Sequence, residues 1–388
     1  MTQGSPQHPL IAIACGGTGG HLFPGLAVAE ELQFRGCRIA LLISEKEVDQ
    51  QAVRGTQDME IKAWPAVGLA NQNRVAFIRG FLKSLRLARA YFKQAQPSAV
   101  LAMGGFTSAA PIVAARLKGI PTFLHEANTI PGRANRWLAP WVSHTFVGFA
   151  STANRFGNAS VQVVGTPVRS QFQESDPGAC RMALGLDPDR PVLLVMGGSQ
   201  GAQGINRGVV TLLPKLIAAL PELQFFHLTG PQDFEAVKTA YQDAGTRAVV
   251  HPFFTEMELA LGAATVAISR AGASSIAEFS ALRIPALLVP YPAAADNHQH
   301  FNAREVAQSG AALLVPQESL TADVVLPALI DLVRDPLRRA ESQKALGLWH
   351  RGDSAQGIAD RVLQDIPLPK SELNHQPWQK YQTGGELI

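Results

Sequence analysis

The chain has 388 residues, 46% of them hydrophobic and 17% charged, with a formal net charge of +3. That length exceeds one compact domain and points to two of ordinary size, while the small net charge excludes the strongly basic surface of a general nucleic-acid binder. Cys15, Cys37 and Cys180 lie too far apart in sequence to form a metal-ligand spacing and read as small buried residues of a reducing compartment.

The opening MTQGSPQHPL has no basic segment followed by an apolar core, so no signal peptide is expected. No apolar run reaches bilayer-spanning length, which predicts a cytoplasmic protein or one that sits on a membrane from the cytoplasmic side. LIAIACGG and CRIALLIS then read as strands, joined by GLAVAEELQFRG as a crossover helix ending at Gly36. NRVAFIRGFLKSLRLARAYFKQ has helical spacing, with Arg79, Lys83, Arg86 and Lys93 on one stripe and Ile78, Phe81, Leu82 and Leu85 on another. Periodicity favours an ordinary surface helix with its apolar face in the core; the sharper reading is an interfacial helix touching anionic lipid.

AVLAMGGF is a strand feeding the helix SAAPIVAARLKG; IPTFLHEA and SHTFVGFA are further strands, and VQVVGTPVR closes this half. QFQESDPGACRMALGLDPDRP is turn-rich and reads as linker and domain entry. The pattern restarts with PVLLVMGGSQGAQGIN, followed by the strands LQFFHLTG, TRAVVHPFF, ATVAISRAG and IPALLVPYP with helices between them. Repeated strand–helix units predict parallel sheets covered by helices, here two Rossmann-like domains in tandem. The chain stays helical and polar from Asp335 to about Asp365, and IPLPKSELNHQPWQKYQTGGELI is too poor in apolar residues to fold alone.

Four places carry candidate chemistry. Gly16, Gly17, Gly19 and Gly20 form a strand-to-helix turn whose amides suit an anion. His21 beside it is a base, a donor to an oxyanion or a helix-start hydrogen bonder, and its spacing alone does not choose. Gly197, Gly198, Gly201 and Gly204, with Ser199 and Gln200, repeat that turn without the lysine of a P-loop. Two such loops predict a ligand between two α/β domains. ISRAGASSIAEFSALRIPALLVPYPAAADNHQHFNA is the densest segment: a helix start for a diphosphate, Glu278 as an acceptor for ribose hydroxyls, and Asp296, Asn297, His298 and Gln299 to grip a sugar. His125, Glu126 and Asn128 end a strand together, a sign of presentation to a site; Thr129 breaks the HExxH zinc pattern.

In this order, GGTGGHLFPGLAVA, GGF, HEAN, GTPVR, GGSQGA, SRAGASSIAE and DNHQ..NA resemble the MurG family of UDP-N-acetylglucosamine:undecaprenyl-diphospho-N-acetylmuramoyl-pentapeptide N-acetylglucosaminyltransferases, across nearly the whole chain apart from the final tail. The resemblance implies a GT-B fold, two Rossmann-like domains with parallel sheets facing a cleft, and an inverting transfer needing no obligatory metal or other cofactor. It implies UDP-N-acetylglucosamine as donor and lipid I as acceptor, an anionic membrane surface and other cell-wall synthesis proteins as partners, and a peripheral place on the inner membrane. Residues 1–170 then form the acceptor- and membrane-facing domain, with a helix at about 350–365 packing back on it; residues 171–349 bind the UDP-sugar, and 366–388 form the tail.

By the same resemblance His21 is the general base, with Glu126 the second catalytic candidate. Thr18, Gly19 and Gly20 lie near the transferred sugar and acceptor diphosphate. Asn128, Arg169, Ser199, Phe254, Ala273, Ser274, Ser275, Ile276, Ala277, Glu278 and Gln299 contact the donor, Phe254 through its backbone and Glu278 through the ribose. A polyprenyl-anchored acceptor makes Ile78, Arg79, Phe81, Leu82, Lys83, Leu85 and Arg86 the expected membrane contact. Phe106 stands where many relatives carry tyrosine, and Ala127 where glutamine is common. The rival readings are a lipid-directed GT-B enzyme acting on diacylglycerol and a non-catalytic nucleotide-sugar-binding scaffold. A NAD-linked dehydrogenase is disfavoured because neither first strand is followed by GxGxxG.

Overall fold

The computed structural model describes residues 8–53, 56, 58–65, 74–157, 160–198 and 201–366. Strands β1 (Leu10–Ala14), β2 (Arg38–Ser44), β3 (Glu60–Trp64), β4 (Ala99–Ala102), β5 (Thr122–Glu126), β6 (His144–Val147) and β7 (Val161–Val163) make one sheet, ordered β3-β2-β1-β4-β5-β6-β7. A second sheet contains β8 (Val192–Met196), β9 (Gln224–Leu228), β10 (Ala248–His251), β11 (Val266–Ser269), β12 (Ala286–Leu288) and β13 (Leu313–Leu314), ordered β10-β9-β8-β11-β12-β13. Every recorded strand pairing is parallel.

Both sheets run outward from their first strand, then reverse: the order switches between β1 and β4 in one and between β8 and β11 in the other. A crevice opens at such a switch point, beyond the C-terminal ends of the strands. The loops after β1, β8 and β11 carry candidate residues, as do those after β5 and β12.

The apolar runs form these strands because both faces of the sheets are covered. Along β1, Ile11 and Ile13 enter one core while Ala12 and Ala14 enter the core on the opposite face. Along β8, Val192, Leu194 and Met196 face one core and Leu193 and Val195 the other. The helix Gly19–Phe34 lies close over β1 at Gly25, where a Cβ would stand 2.5 Å from that of Cys15.

The chain crosses between the domains after β7 and returns before the helix Ser354–Asp365. Ile358, Ala359 and Val362 of that helix are buried with Ile11 and Ile39 of the first domain; full burial of an Ile or Val is worth roughly 1.5–3 kcal/mol. Ser354 Oγ donates to the Val164 carbonyl at 2.7 Å and ties the two crossings together. Within the segment read as linker and domain entry, Asp176 caps a short helix, Pro177–Ala183, by accepting from the amides of Gly178 (3.1 Å) and Ala179 (3.2 Å).

The doubly wound parallel α/β architecture agrees with the sequence reading. Two strands, β3 and β13, go beyond it; each is an edge strand.

Candidate active site in the interdomain cleft

The first glycine loop is fixed before any ligand arrives. Gly17 N–H donates to Asp49 Oδ2 at 2.6 Å, Lys46 Nζ to the Gly17 carbonyl at 2.8 Å, and Thr107 Oγ1 to the Gly16 carbonyl at 2.8 Å. The Gly17 amide is therefore committed to a carboxylate. Thr18 stands at the N-cap position of the helix that follows, and Gly19 and Gly20 occupy its first turn, where amides lack an acceptor within the helix.

His21 lies against the loop that ends β4. Gly104 has φ +113°, and a Cβ there would stand 2.8 Å from His21 Cε1 and 2.9 Å from Nδ1, so glycine is what lets the imidazole approach. Nδ1 is buried without a hydrogen bond of good geometry. Burial holds the imidazole below its ordinary value of 6.5; the Glu126 carboxylate, the Met103 carbonyl and Asp49 favour the protonated ring, while His298 opposes it. The net shift is downward, so the ring is neutral at neutral pH.

Glu126, buried at the end of β5, organises the loop after it. Oε1 accepts from the Asn128 amide (2.9 Å) and Asn128 Nδ2 (3.1 Å), and Oε2 from the Gly132 amide (2.9 Å) and Asn135 Nδ2 (2.8 Å). Its charge also reaches His21. Asn128 Oδ1 accepts from Asn302 Nδ2 at 3.0 Å, so both ends of its amide are engaged and each retains one hydrogen-bonding position.

On the other wall, the helix Ala273–Ala281 starts three residues beyond Arg270, with Gly272 at its N-cap. It carries Ser274, Ser275, Ile276, Ala277 and Glu278. Burial raises the Glu278 carboxyl to about 7, against the pull of the Arg169 guanidinium. Arg169 lies 4.4 Å from the Phe23 ring centroid and 5.0 Å from that of Phe172, and its Nε is buried without a partner. Ser274 Oγ donates to the Gly20 carbonyl at 3.3 Å, so the first turns of the two helices meet across the cleft.

Gln299 Oε1 accepts from the Tyr291 amide at 2.9 Å. The loop holding Tyr291 is in turn held by Arg270, which donates to the carbonyls of Val289 (3.2 Å) and Pro290 (3.1 Å) and to Gln317 Oε1 (2.7 Å). Phe254, beyond β10, packs with Phe226 and His251, both at 5.2 Å between centroids. Ser199 lies outside the described residues.

The cleft thus gathers Thr18, Gly19, Gly20, His21, Glu126, Asn128, Arg169, Ser274 and Glu278, while Phe254 and Gln299 stand along the strand-end edge of the second sheet. The sequence reading gave no site role to Asp49, Gly104, Asn135 or Asn302, although Gly104 and Asn302 lie within the GGF and DNHQ..NA motifs. Asn302 and Gly104 meet partners far away in sequence, whereas Asn135 reaches back 9 residues to Glu126 and Asp49 reaches back to Ser44 as well as to Gly17. A concavity of about 1020 Å³ opens at the opposite end of the second sheet beside Arg181, Thr265 and Arg283. Arg181 is committed there to the carbonyls of Ala263 and Pro188 and to Thr265, so the strand-end cleft is the better candidate for chemistry.

The helix Arg74–Ala95 divides its faces. Ser84, Ala88 and Phe92 are buried, and Phe81 and Leu85 pack on the same core; Ile78, Leu82, Arg79, Lys83 and Arg86 are exposed. Trp137 and Trp141 are exposed beside it, with Phe81 and Trp137 rings 6.2 Å apart and Trp137 and Trp141 rings 6.0 Å apart. Among the described residues, no helix is long and apolar enough to cross a membrane.

Residues 11–147 match the glycosyltransferase family 28 N-terminal domain and residues 192–362 the family 28 C-terminal domain. A UDP-N-acetylglucosamine–N-acetylmuramyl-(pentapeptide) pyrophosphoryl-undecaprenol N-acetylglucosamine transferase of Paramagnetospirillum magneticum is 36% identical over 377 residues, 94% of this chain and 98% of that protein. The transferase of the same description from Synechococcus elongatus is 38% identical over 383 residues, 92% of this chain and 98% of that protein. The chain belongs to the MurG family. The crystal structure of Acinetobacter baumannii MurG matches with a TM-score of 0.71 at 28% identity, covering 92% of this chain and 99% of that one, and the fold is the GT-B arrangement of two Rossmann-like domains. Phe106 sets its ring edge-on to Phe77 at 5.8 Å, and Ala127 is buried in the core of the second domain.

Proposed function

We propose that this protein transfers N-acetylglucosamine from UDP-N-acetylglucosamine to the C4 hydroxyl of the muramoyl unit of lipid I, with inversion, forming lipid II. The observation that carries the chemistry is the meeting of Gly20 and Ser274 at 3.3 Å. Each helix N-terminus bears about half a positive charge, and their convergence makes a preorganised place for a diphosphate.

In this reading residues 171–349 hold the donor. The Glu278 carboxylate accepts the ribose hydroxyls, the backbone at Phe254 meets the uracil, and Gln299 meets the sugar hydroxyls. Asn128, with one free position at each end of its amide, and Arg169 border the donor from the first domain and the crossing. As the acceptor oxygen bonds to the anomeric carbon, the bond from that carbon to the UDP oxygen breaks. The departing charge falls to the amides around Ala273–Ala277, with Ser199 assisting. The hydroxyl proton passes to neutral His21, whose depressed basicity keeps it unprotonated at neutral pH. Glu126, with four hydrogen bonds to its own loop, acts by positioning and by its charge.

Residues 1–170 receive the acceptor at the membrane. Ile78 and Leu82, ringed by Arg79, Lys83 and Arg86 and continued by Trp137 and Trp141, form an apolar surface with cationic flanks of the kind that sits in an anionic interface. In this reading the protein sits peripherally on the cytoplasmic face of the membrane, with other cell-wall synthesis proteins as its neighbours. Transfer of labelled N-acetylglucosamine to lipid I tests the reaction, and vesicle flotation tests the surface.

A further inference from the structure

Asn302, on the helix His298–Gln308, is fully buried and uses every hydrogen-bonding position of its carboxamide. Oδ1 accepts from the Thr129 amide at 2.9 Å and from Thr129 Oγ1 at 3.0 Å; Nδ2 donates to Asn128 Oδ1 at 3.0 Å and to the Ala271 carbonyl at 3.2 Å. Three of these bonds reach the loop after β5 in the first domain. The fourth grips the second domain just before the helix Ala273–Ala281.

The orientation of the amide is determined by its partners. The Thr129 N–H can only donate, the Ala271 carbonyl can only accept, and Asn128 is itself oriented by the Glu126 carboxylate. An aspartate at 302 would set acceptor oxygens against Asn128 Oδ1 and the Ala271 carbonyl. Three other side-chain hydrogen bonds between the domains, Arg136 with Asp296, Ser151 with Glu305 and Ser274 with Gly20, are solvent-exposed and exchange readily with water. A buried carboxamide does not.

We infer that Asn302 is a positioning residue that sets the donor-holding domain in register with the acceptor loop. It connects Ala271, beside the donor helix, through Asn128 to Glu126, whose charge acts on His21. The inference rests on the transferase reading above. It assigns Asn302 an effect on turnover and domain register, with little on UDP affinity, because UDP is held within the second domain.

The test compares Asn302→Asp, Thr129→Val and Thr129→Ser with wild type in three measurements: kcat with lipid I, UDP affinity by calorimetry, and the interdomain distance distribution from spin labels at Lys118→Cys and Lys238→Cys under saturating UDP. Asn302→Asp should lower kcat by about 10- to 100-fold, as misplacement of reacting groups does. Its UDP affinity should stay within about threefold, and its distance distribution should broaden. Should Asn302→Asp fail to fold, Thr129→Val decides: it loses one bond to Asn302 and should lower kcat by about 3- to 10-fold, with Thr129→Ser within about twofold of wild type. Wild-type kcat in Asn302→Asp, or equal losses of kcat and UDP affinity with an unchanged distance distribution, would overturn the inference. A wild-type enzyme that transfers nothing to lipid I would refute the transferase reading instead, and the distance measurement, which needs only UDP, would still judge the role of Asn302.

Discussion

Gly104 and His21 are in such close contact that a single methyl group on the glycine would stand 2.8 Å from the imidazole Cε1. The φ of +113° at Gly104 independently disfavours any other residue. Gly104→Ala should therefore push the imidazole out of place while leaving the second domain untouched. We expect kcat to fall by about 10- to 100-fold with UDP affinity unchanged by calorimetry; equal loss of both would mean a general fold defect.

His21→Ala should lower kcat by about 10²- to 10⁴-fold, the usual worth of a general base, with the KM for UDP-N-acetylglucosamine within about threefold. Burial places the His21 transition below 6.5, so the acid limb of the kcat/KM profile should fall below that pH. Glu126 favours the protonated ring. In Glu126→Gln, read on the fraction that folds, the limb should move further toward acid. A limb that moved toward alkaline pH would contradict the electrostatic coupling.

Much of this architecture was legible in the chain. LIAIA and VLLVM read as strands because sheets covered on both faces select continuous apolar runs. EIKAW at Glu60–Trp64 did not, since β3 is an edge strand whose first four residues are partly or largely exposed, and β13 has only two residues. Glycine loops and Glu278 stood out through local spacing. Asn302 did not, because its partners Asn128 and Thr129 lie 174 and 173 residues away, and a buried tertiary hydrogen bond leaves no periodicity. The helix Arg74–Ala95 buries Ala88 and Phe92 on one face and exposes Ile78 and Leu82 on another.

Glu278 is held in its unfavourable form for function. Its carboxyl is raised from 4.5 to about 7 by burial, so the folded chain keeps a proton that the unfolded chain releases. Stability is therefore lost as pH rises from 4.5 through 7, the reverse of a salt-bridged carboxylate. Glu278→Gln should be more stable than wild type at pH 8, by roughly 1–3 kcal/mol, and should bind UDP more weakly. Wild-type UDP affinity should rise with pH through 7, since ribose hydroxyls need the ionised acceptor. A pH-independent affinity would remove Glu278 from the ribose.

The apolar surface predicts a separable defect. Trp137→Ser combined with Lys83→Glu should reduce flotation with anionic vesicles by about tenfold, given roughly 1 kcal/mol for each basic residue near the surface and the loss of an aromatic anchor. Turnover of a short-chain, water-soluble acceptor should remain at the wild-type level. Unchanged flotation would confine the helix to a packing role.

The central claim is most directly tested by incubating the purified chain with labelled UDP-N-acetylglucosamine and, in parallel, lipid I or diacylglycerol in the same vesicles. The account predicts labelled lipid II from the first and no glycolipid from the second, with lipid II formation abolished or nearly so in His21→Ala. Label appearing on diacylglycerol, or on neither lipid while UDP-N-acetylglucosamine still binds, would contradict it.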